Sequence, residues 1–494
     1  MLKKFLKKYW VLVLILLLAS FLRLYRLSDY MEFLGDQGRD VTIIKDFLKN
    51  GNLFFIGPQT SIGNMYLGPF FYYLIAPSLL LSAYNPVGPA VFIAILSVAT
   101  VALIFFIGKK WFNLKTAYIA SFLYAISPVV IKYSNFIWNP NVMPFFSLLF
   151  VYFFFESFRS KKFHYFIYAS LAFVMVMNSH YLGLALLPFT GYFWLYSLIK
   201  FIRSKSSELK PFIKYTLLAA LIFIISLTPQ ILFDIKHNGQ NVKALLNFFT
   251  YRETTVNIKP YKAIPEMPAI FNQINTNLLA GKESNTTGGI IISITFALLI
   301  LFTLFKFKKQ KSTYWIVFIW YLSGIAALAL YKQHIYPHYF AFLFPPIFIL
   351  IAFLIQKFKF IGVPLFALIT FFCLKEIPFR WQPNYQLKTT IKIADLIISN
   401  SDNKDFNFAL LAKQNYDPTY RYILDEKEAK IVNLPEKMAE QLFVVCEPFQ
   451  IDCNPINNPE WSVAAFGWAK IDNQWEINGI KIFKVIHNPD GKKE

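Results

Sequence analysis

Charged residues and cysteine are scarce in this chain of 494 residues. Asp, Glu, Lys and Arg make up 16% of it, whereas soluble proteins average about 25%. Three cysteines are too few for a disulfide-rich scaffold. Hydrophobic residues reach 56%, which excludes intrinsic disorder because disordered chains have low hydrophobicity. The formal net charge of +21 raises nucleic-acid binding as a candidate function until the positions of the charges are considered.

Twelve apolar runs approach or exceed the length that crosses a bilayer, which is about 18 residues. They predict a polytopic α-helical membrane protein. No small-residue cleavage site follows the first run, so we expect it to remain as an anchor. The runs lie at roughly 10–27, 66–84, 87–107, 116–132, 140–158, 164–180, 181–199, 212–232, 289–305, 314–331, 338–356 and 360–377.

The basic residues are concentrated in short segments between these runs. Six segments hold 21 Lys and Arg against a single acid, Glu208, and loops of this kind stay on the cytoplasmic side. The positive charge is therefore a topology signal, and no nucleic-acid partner is expected. The six segments are 1–9, 108–116, 159–163, 200–215, 305–312 and 357–360.

The run 66–84 is the weakest candidate span, because it contains one glycine, two prolines and four tyrosines. If the N-terminus and the loop at Lys109 are both cytoplasmic, only one of the runs 66–84 and 87–107 can cross. We predict that 66–84 lies along the outer face, within a first outer loop at 28–86. The alternative, in which both runs cross, breaks the charge rule for every later loop. The prediction is about eleven crossings of the plasma (inner) membrane, with a cytoplasmic N-terminus.

Residues 381–494 have the composition of a soluble domain, which we expect on the extracytoplasmic side of the membrane and separate from a transmembrane domain at 1–380. Cys446 and Cys453 are seven positions apart. A disulfide between them is one interpretation for an oxidising compartment, and two free thiols are an equally good one. Helix-like and strand-like segments alternate and predict a small α/β domain: 387–399, 406–411, 441–446 and 479–485.

The densest polar cluster of the first outer loop is the segment 35–40, Gly-Asp-Gln-Gly-Arg-Asp. Ionisable side chains beside a membrane are costly, so such clusters indicate function. Asp36 and Asp40 would share one face of a helix that starts near Asp36. Two carboxylates and an arginine could deprotonate a hydroxyl, hold a metal or bind a phosphate. The structural alternative is Asp36 as a helix N-cap, with Asp40 paired to a basic side chain.

Polar residues elsewhere on the predicted outer face are weaker candidates, because a turn, an interfacial anchor or ordinary hydrogen bonding would explain each of them. The cations and histidines of 332–339 suit an anionic phosphate. No P-loop, GxGxxG after a strand or HExxH is present. These candidates are Asn64, Tyr66, Asn139, Asn141, His180, Tyr181, Lys236, His334 and His338.

A basic N-terminus, one span and a large loop that opens with Asp36-Gln37-Gly38-Arg39-Asp40 resemble the GT-C glycosyltransferases. The resemblance is to the branch of protein O-mannosyltransferases (glycosyltransferase family 39, dolichyl-phosphate-mannose-dependent) and lipid A aminoarabinose transferase. It covers about residues 1–380 and is specific only in the first loop. It implies a polyprenyl-phosphate-sugar donor and a glycan, lipid or protein acceptor at the outer face.

The first-loop acid of this family usually begins an Asp-Glu pair, and it falls on Asp36 here, with Gln37 in place of Glu. The resemblance implies that Asp36 and Asp40 are catalytic. Some members carry Asp-x-Asp in the second outer loop, where this chain has Asn139 and Asn141. A divalent metal (Mg²⁺ or Mn²⁺, with Asp36 as one ligand) is left open by this difference, because amides are weaker ligands. The implied phosphate-binding residues are Arg39, Lys236, His334 and His338, and the implied substrate-binding residues are Gln37, Asn64, Tyr66, Asn139, Asn141, His180 and Tyr181.

Two other functions compete with this prediction, a flippase or transporter of a lipid-linked glycan and a non-catalytic scaffold of the cell envelope. Transporters typically show paired repeats and helices interrupted at mid-membrane. This chain shows no internal repeat and collects its polar clusters at one face. The sequence therefore predicts an integral membrane glycosyltransferase with Asp36 as the general base.

Overall fold

The computed structural model describes residues 7–60, 64–250, 255–257, 259–281, 286–306, 312–447 and 453–488. This part of the chain is mostly helical, and each of the twelve apolar runs contains a helix. Six helical segments are long and apolar enough to cross a membrane by length and composition: Val87–Trp111, Asn139–Arg159, Tyr181–Arg203, Leu209–Ser226, Thr287–Phe305 and Pro337–Lys357.

The helix in the run 66–84 is short. It spans Phe70–Leu81, and Pro77 lies inside it. Its 12 residues correspond to about 18 Å at 1.5 Å per residue, against about 30 Å for the hydrocarbon core. This length agrees with a helix that does not cross, and the number of crossings stays a prediction. The other apolar helices of 10–17 residues are Trp10–Leu24, Leu114–Ile126, Tyr165–Ser179 and Ser312–Leu328.

The described residues fall into two compact units, each discontinuous in sequence. The first lies within Met1–Tyr25, Leu53–Ile75 and Val91–Gln382. The second lies within Arg26–Asn52, Ala76–Ala90 and Pro383–Glu494. The segment 35–40 therefore belongs to the same unit as the C-terminal residues.

The first unit packs around the helix Phe344–Lys357, in which the six residues 347–352 are fully buried. A helix that is apolar on all sides is expected inside a bundle. Arg23 is also buried in this unit, and its guanidinium donates to Ser97 Oγ at 2.8 Å and to the Ala125 carbonyl at 3.0 Å. Further helices of this unit are Pro128–Lys132, Met143–Arg159, Leu187–Arg203, Thr228–Lys236, Gln240–Thr250, Met267–Ala280, Thr287–Lys306 and Lys359–Lys375, with 3₁₀ turns at Asn139–Val142, Tyr181–Leu186, Pro260–Ala263, Pro337–Leu343 and Pro378–Arg380.

The C-terminal part of the second unit is a small α/β domain, as the sequence predicts. Its strands are β1 (Asn407–Leu411), β2 (Gln441–Cys446), β3 (Ala469–Ile477) and β4 (Ile480–His487), in the order β1-β2-β4-β3. β1 and β2 are parallel, and the other two pairs are antiparallel. The edge strand β3 was not predicted, because its residues are mostly polar and exposed.

Helices complete the second unit, and a disulfide joins two of its residues. Cys446, the last residue of β2, is bonded to Cys453. Of the two interpretations of this cysteine pair, the structure therefore has the disulfide. The helices are Leu27–Tyr30, Gly35–Asn50, Gln386–Asn400, Pro418–Glu426 and Trp461–Phe466.

Candidate functional site

The segment 35–40 forms the start of the helix Gly35–Asn50. The N-cap residue is Leu34, so Asp36 does not cap this helix. The N-terminal turn is closed instead by Gln37, whose side-chain Oε1 accepts the backbone N–H of Leu34 at 3.0 Å. Gln37 is buried, and its role in the structure is to hold the first turn.

Arg39 joins the two carboxylates of this turn. Its Nη1 donates to Asp36 Oδ1 at 2.9 Å, and its Nε and Nη2 donate to Asp40 Oδ1 at 3.0 Å and 2.8 Å. The Asp36 side chain is 41% exposed, whereas that of Asp40 is 1% exposed. A buried carboxylate needs a partner, so Arg39 stabilises Asp40 while Asp36 stays accessible to solvent. Of the two acids, only Asp36 is accessible from solvent.

The two glycines of the segment face the C-terminal part of the same unit. A Cβ on Gly38 would lie 2.5 Å from the backbone nitrogen of Thr419, and one on Gly35 would lie 2.5 Å from the Tyr416 side chain. Glycine is therefore required for this close approach. The glycines pack inward, and Asp36 and Arg39 remain at the surface of the unit.

A second group of polar residues lies in the first unit. Residues 57–60 pair antiparallel with residues 64–67, with Gln59 opposite Tyr66, and we call these two segments the hairpin. The next residue, Gly68, is tightly enclosed, since a Cβ there would lie 2.1 Å from Asn178 Oδ1 and 2.8 Å from Gln230 Oε1. The hairpin is thus held directly against these two buried or half-buried amides.

Hydrogen bonds connect this hairpin directly to two other segments of the first unit, and through Asn241 to a third. The Tyr181 hydroxyl donates to the Tyr66 carbonyl at 2.7 Å, and Asn241 Oδ1 accepts the Tyr66 backbone N–H at 2.7 Å. The Asp234 carboxylate accepts the backbone N–H of Asn241 at 2.8 Å and so holds the start of the helix Gln240–Thr250. Asn64, whose carbonyl accepts from Gln240, closes the same arrangement.

An apolar cavity of about 810 Å³ extends from these residues between the helices. Its polar wall carries Tyr181, Gln230, Asp234 and Asn241. The Asn241 Nδ2 has no hydrogen-bond partner among the described residues. The remaining wall is almost entirely apolar and includes Met65, Phe150, Phe154, Phe166, Phe173, Met177, Leu184, Leu187, Gly191, Trp194, Ala219, Ala220, Phe223 and Leu245.

An aromatic cluster of the first unit surrounds His338. The ring centroid of His338 lies 4.3 Å from that of Trp138, and the Tyr336 ring stacks on it at 5.7 Å. His180 is 6.2 Å away, ring to ring. The His338 Nδ1 is buried without a hydrogen-bond partner in the described part of the chain. We call these residues, together with Tyr133 and Tyr339, the His338 cluster.

The other predicted site residues mainly hold loops or lie at the surface. Asn139 is buried and donates to the Ser179 carbonyl at 2.6 Å. Asn141 donates to the Phe136 carbonyl, and His180 Nδ1 accepts the Leu182 backbone N–H. Lys236 and His334 are exposed, and His334 packs edge-on against Tyr336.

A metal site was left open by the sequence. Within the described ranges, no three His, Cys, Asp or Glu side chains come together as a ligand set. Asp36 and Asp40 share Arg39, so a divalent cation between them would have to displace the guanidinium. The residues present do not fit a metal at this pair, and no reaction step is derived through one.

Comparison with solved structures identifies the class of fold. ArnT from Cupriavidus metallidurans, solved bound to undecaprenyl phosphate, is similar with a TM-score of 0.62 and 11% identity, over 97% of this chain and 98% of that chain. AglB, an oligosaccharyltransferase from Archaeoglobus fulgidus solved with an inhibitory peptide and a dolichol-phosphate, has a TM-score of 0.50 and 13% identity, over 87% and 65%. The fold is that of the GT-C glycosyltransferases, which confirms the expected fold of a multi-pass membrane protein.

A match between part of the sequence and one protein family makes this classification more specific. Residues 67–231 match the family described as dolichyl-phosphate-mannose-protein mannosyltransferase. The match agrees with the enzyme class and the branch of GT-C proteins that the first loop resembles. No curated protein matches the sequence significantly.

Several residues of these sites carried no usable signal in the sequence. Asn178, Gln230 and Asp234 fall in turn or juxtamembrane segments, where isolated polar side chains are ordinary. Asn241 and Asn415 were not singled out at all. An isolated Asn or Gln gives no periodicity or motif, so its contact with Gly68, Tyr66 or Gly35 appears only in the fold.

Proposed function

We propose that this protein transfers a sugar from a polyprenyl-phosphate donor to an acceptor at the extracytoplasmic face of the plasma membrane, with Asp36 as the general base. One observation carries the proposal. The segment 67–231, which matches the mannosyltransferase family, forms most of the wall of the apolar cavity of about 810 Å³. A cavity of this kind suits a polyprenyl chain.

The lipids bound in the similar structures support the class of donor. ArnT was solved with undecaprenyl phosphate and AglB with a dolichol-phosphate, so two proteins of this fold bind polyprenyl phosphates. The cavity itself adds little affinity, because a polyprenyl chain leaves a bilayer that is equally apolar. Its role is to orient the chain, and the polar groups at its wall and the phosphate-binding residues select the donor.

The proposed reaction needs one base and one leaving group. The carboxylate of Asp36 takes a proton from the acceptor hydroxyl or amine, and the oxygen or nitrogen attacks the anomeric carbon of the sugar. The bond between this carbon and the phosphate oxygen breaks, and polyprenyl phosphate leaves with the electron pair. A positioned base contributes about 10²- to 10⁴-fold to such a step. Asp36 is suited to this role because its carboxylate is the accessible one of the pair.

Cationic and aromatic side chains are proposed to bind the rest of the donor. Arg39 keeps a third of its side chain exposed while it holds Asp40, so it can meet a phosphate without moving far. The exposed Lys236 and His334 and the half-buried His338 are the other candidates for the phosphate. In the His338 cluster, Tyr336 is 49% exposed and offers a ring face on which a sugar ring can stack. Asp40 is proposed to act through Arg39.

The decisive experiment is sugar transfer by the purified full-length protein in lipid nanodiscs. Polyprenyl-phosphate mannose and polyprenyl-phosphate glucose serve as donors, and a membrane lipid and glycan extract serves as the source of acceptors. Asp36→Asn should lower the transfer rate by about 10²-fold or more. The matched control is Asp46→Asn on the same helix, whose carboxylate is exposed and accepts from Asn50 and Asn52.

The control variant should keep the wild-type transfer rate. Undiminished transfer by Asp36→Asn would contradict the assignment of Asp36 as the base. If the wild-type protein moves donor lipid between leaflets without any transfer, the protein is a flippase of lipid-linked glycans and the proposed function is wrong.

A further inference from the structure

The second unit contains a buried hydrogen-bond network at the N-terminus of the helix Gly35–Asn50. Asn415 Oδ1 accepts the Gly35 backbone N–H at 2.8 Å and the Thr419 hydroxyl at 2.9 Å. Asn415 Nδ2 donates to Glu447 Oε1 at 2.7 Å. The Tyr420 hydroxyl donates to the same Glu447 oxygen at 2.9 Å. Four residues of the C-terminal domain thus connect to the first N–H of this helix.

This N–H belongs to a group that a helix cannot satisfy by itself. The first four N–H groups of any helix lack an intrahelical partner. Here Asn415 supplies the acceptor from a position far along the chain, and the residue is only 6% exposed. Glu447 fixes which way the Asn415 amide points, because a carboxylate can accept only from the Nδ2 side. The orientation of Asn415 is therefore determined, with Oδ1 toward Gly35.

The residues before the helix are held by the same domain. Gln386 Oε1 accepts the Phe33 backbone N–H at 2.8 Å, and the Asp29 carbonyl accepts the Tyr385 backbone N–H at 3.0 Å. The Asp29 carboxylate pairs with Lys388 at 2.6 Å. The segment that leads into the helix is thus fastened at several points by residues 385–388.

The middle of the helix is held as well. Gly38 lies against the backbone of Thr419, and the buried Lys45 pairs with Asp425 and Glu426. All these contacts lie on one side of the helix. Asp36 and Arg39 are the residues of the first turns whose charged groups stay partly exposed.

We propose that Asn415 and Glu447 are positioning residues, which hold the first turn of the helix Gly35–Asn50 in the orientation that directs Asp36 and Arg39 toward the substrate. The proposal rests on the proposed function and assigns the C-terminal domain a role in it. A displacement of about 1 Å in a catalytic group can cost about 10²-fold in rate. Loss of the Gly35 acceptor should therefore act on the rate of the chemical step more than on donor binding.

The test combines transfer kinetics with amide hydrogen exchange in the full-length protein. Asn415→Ala should lower kcat by about 10- to 100-fold, with a smaller change in the KM for the donor. It should also speed exchange of the amides at 35–40. The matched control is Asn407→Ala, which removes another buried amide with three hydrogen bonds from the same domain. That control should leave exchange at 35–40 unchanged.

A charge swap separates positioning from general loss of stability. Asn415→Asp alone places a second carboxylate against Glu447 and should be impaired. Adding Glu447→Gln restores a donor to the pair, because the new NH2 group can donate one hydrogen to the carboxylate introduced at position 415 and the other to the Tyr420 hydroxyl oxygen. The double variant should recover most of the kcat and the slow exchange at 35–40.

Each outcome decides for or against the positioning role. Unchanged exchange at 35–40 in Asn415→Ala would overturn it, as would a double variant no better than Asn415→Asp. If the wild-type protein shows no transfer with any donor, the proposed function fails while the exchange measurements still test the positioning. If Asn415→Ala does not fold, the comparison of Asn415→Asp with the double variant replaces it.

Discussion

Gly35 donates its backbone N–H to Asn415 Oδ1 at 2.8 Å, although the two residues are 380 positions apart in the chain. The contact shows that the polar motif of the first loop and the C-terminal domain form one compact unit. The helix that carries Asp36 is thus shaped by residues that the motif itself does not include. Three predictions follow from this unit and from the cavity of the first unit.

Gly38→Ala should destabilise the protein. The added methyl group would lie 2.5 Å from the Thr419 backbone nitrogen and 2.6 Å from the Pro418 carbonyl oxygen, and backbone atoms cannot yield as a side chain does. Overpacking of this kind typically costs about 1–3 kcal/mol, which exceeds the 0.5–1 kcal/mol or so that alanine gains over glycine inside a helix. A thermal melt of the purified protein in detergent measures the change.

Gly191→Ala serves as the control for this melt, because no atom lies within 4 Å of the added Cβ. It should be neutral or slightly stabilising. A Gly38→Ala protein that melts at or above the wild-type temperature would contradict the prediction. It would show that the helices Gly35–Asn50 and Pro418–Glu426 can move apart without loss of stability.

Gly191→Trp should impair the use of long-chain donors. Gly191 lines the apolar cavity, and the open space at its Cβ lets an indole enter without displacing the backbone. The KM should rise for a donor with a full polyprenyl chain and change little for a donor with a short chain. Leu195→Trp is the matched control, since Leu195 is 51% exposed on the same helix and does not line the cavity.

Transfer kinetics with the two donors check this prediction. An equal rise in KM for the long and the short donor would point to general distortion of the helix. An unchanged KM for the long donor would show that the chain lies elsewhere.

The ion pair between Asp29 and Lys388 should make the stability of the second unit sensitive to acid. The Lys388 ammonium, reinforced by Arg26, holds the pKa of the Asp29 carboxyl below its ordinary value. This contribution is therefore complete above the unfolded pKa, about 4, and is lost as the pH falls through the lower folded value. Lys388→Met should lower the melting temperature at pH 7 and 5 and have a smaller effect near pH 3.

Melts at these three pH values check the prediction, with Lys392→Met as the control. Lys392 is exposed on the same helix, Gln386–Asn400. The control should change the melting temperature little at any pH. A Lys388→Met effect that is as large near pH 3 as at pH 7 would show that the ion pair with Asp29 does not carry the effect.

The membrane helices were predictable because a long apolar run has few other structures available. The helix Met267–Ala280 was missed, since Asn275 and Asn277 interrupt its apolar pattern although both are buried. Tyr321 donates to Asn275 at 2.9 Å, a partner that only the fold supplies. The helix Gln240–Thr250 was missed for a similar reason, because its polar residues resemble those of a loop.

The candidate site was predictable only in part. The spacing of Asp36 and Asp40 predicts a shared helix face, and the structure places Arg39 between them. The spacing could not reveal that Asp40 is buried and Asp36 exposed, because that difference depends on the neighbours of the helix. Nor could the sequence reveal that the glycines at 35 and 38 allow the helix Gly35–Asn50 to approach residues 416–419 closely.

The division of the chain into two units bears on how its relatives can be recombined. The segment Arg26–Asn52 folds with Pro383–Glu494, although more than 300 residues lie between them. A chimera that exchanges only the C-terminal domain would set a foreign surface against Gly35 and Gly38. A viable exchange should carry both segments together, so that the short motif and its distant support are inherited as one part.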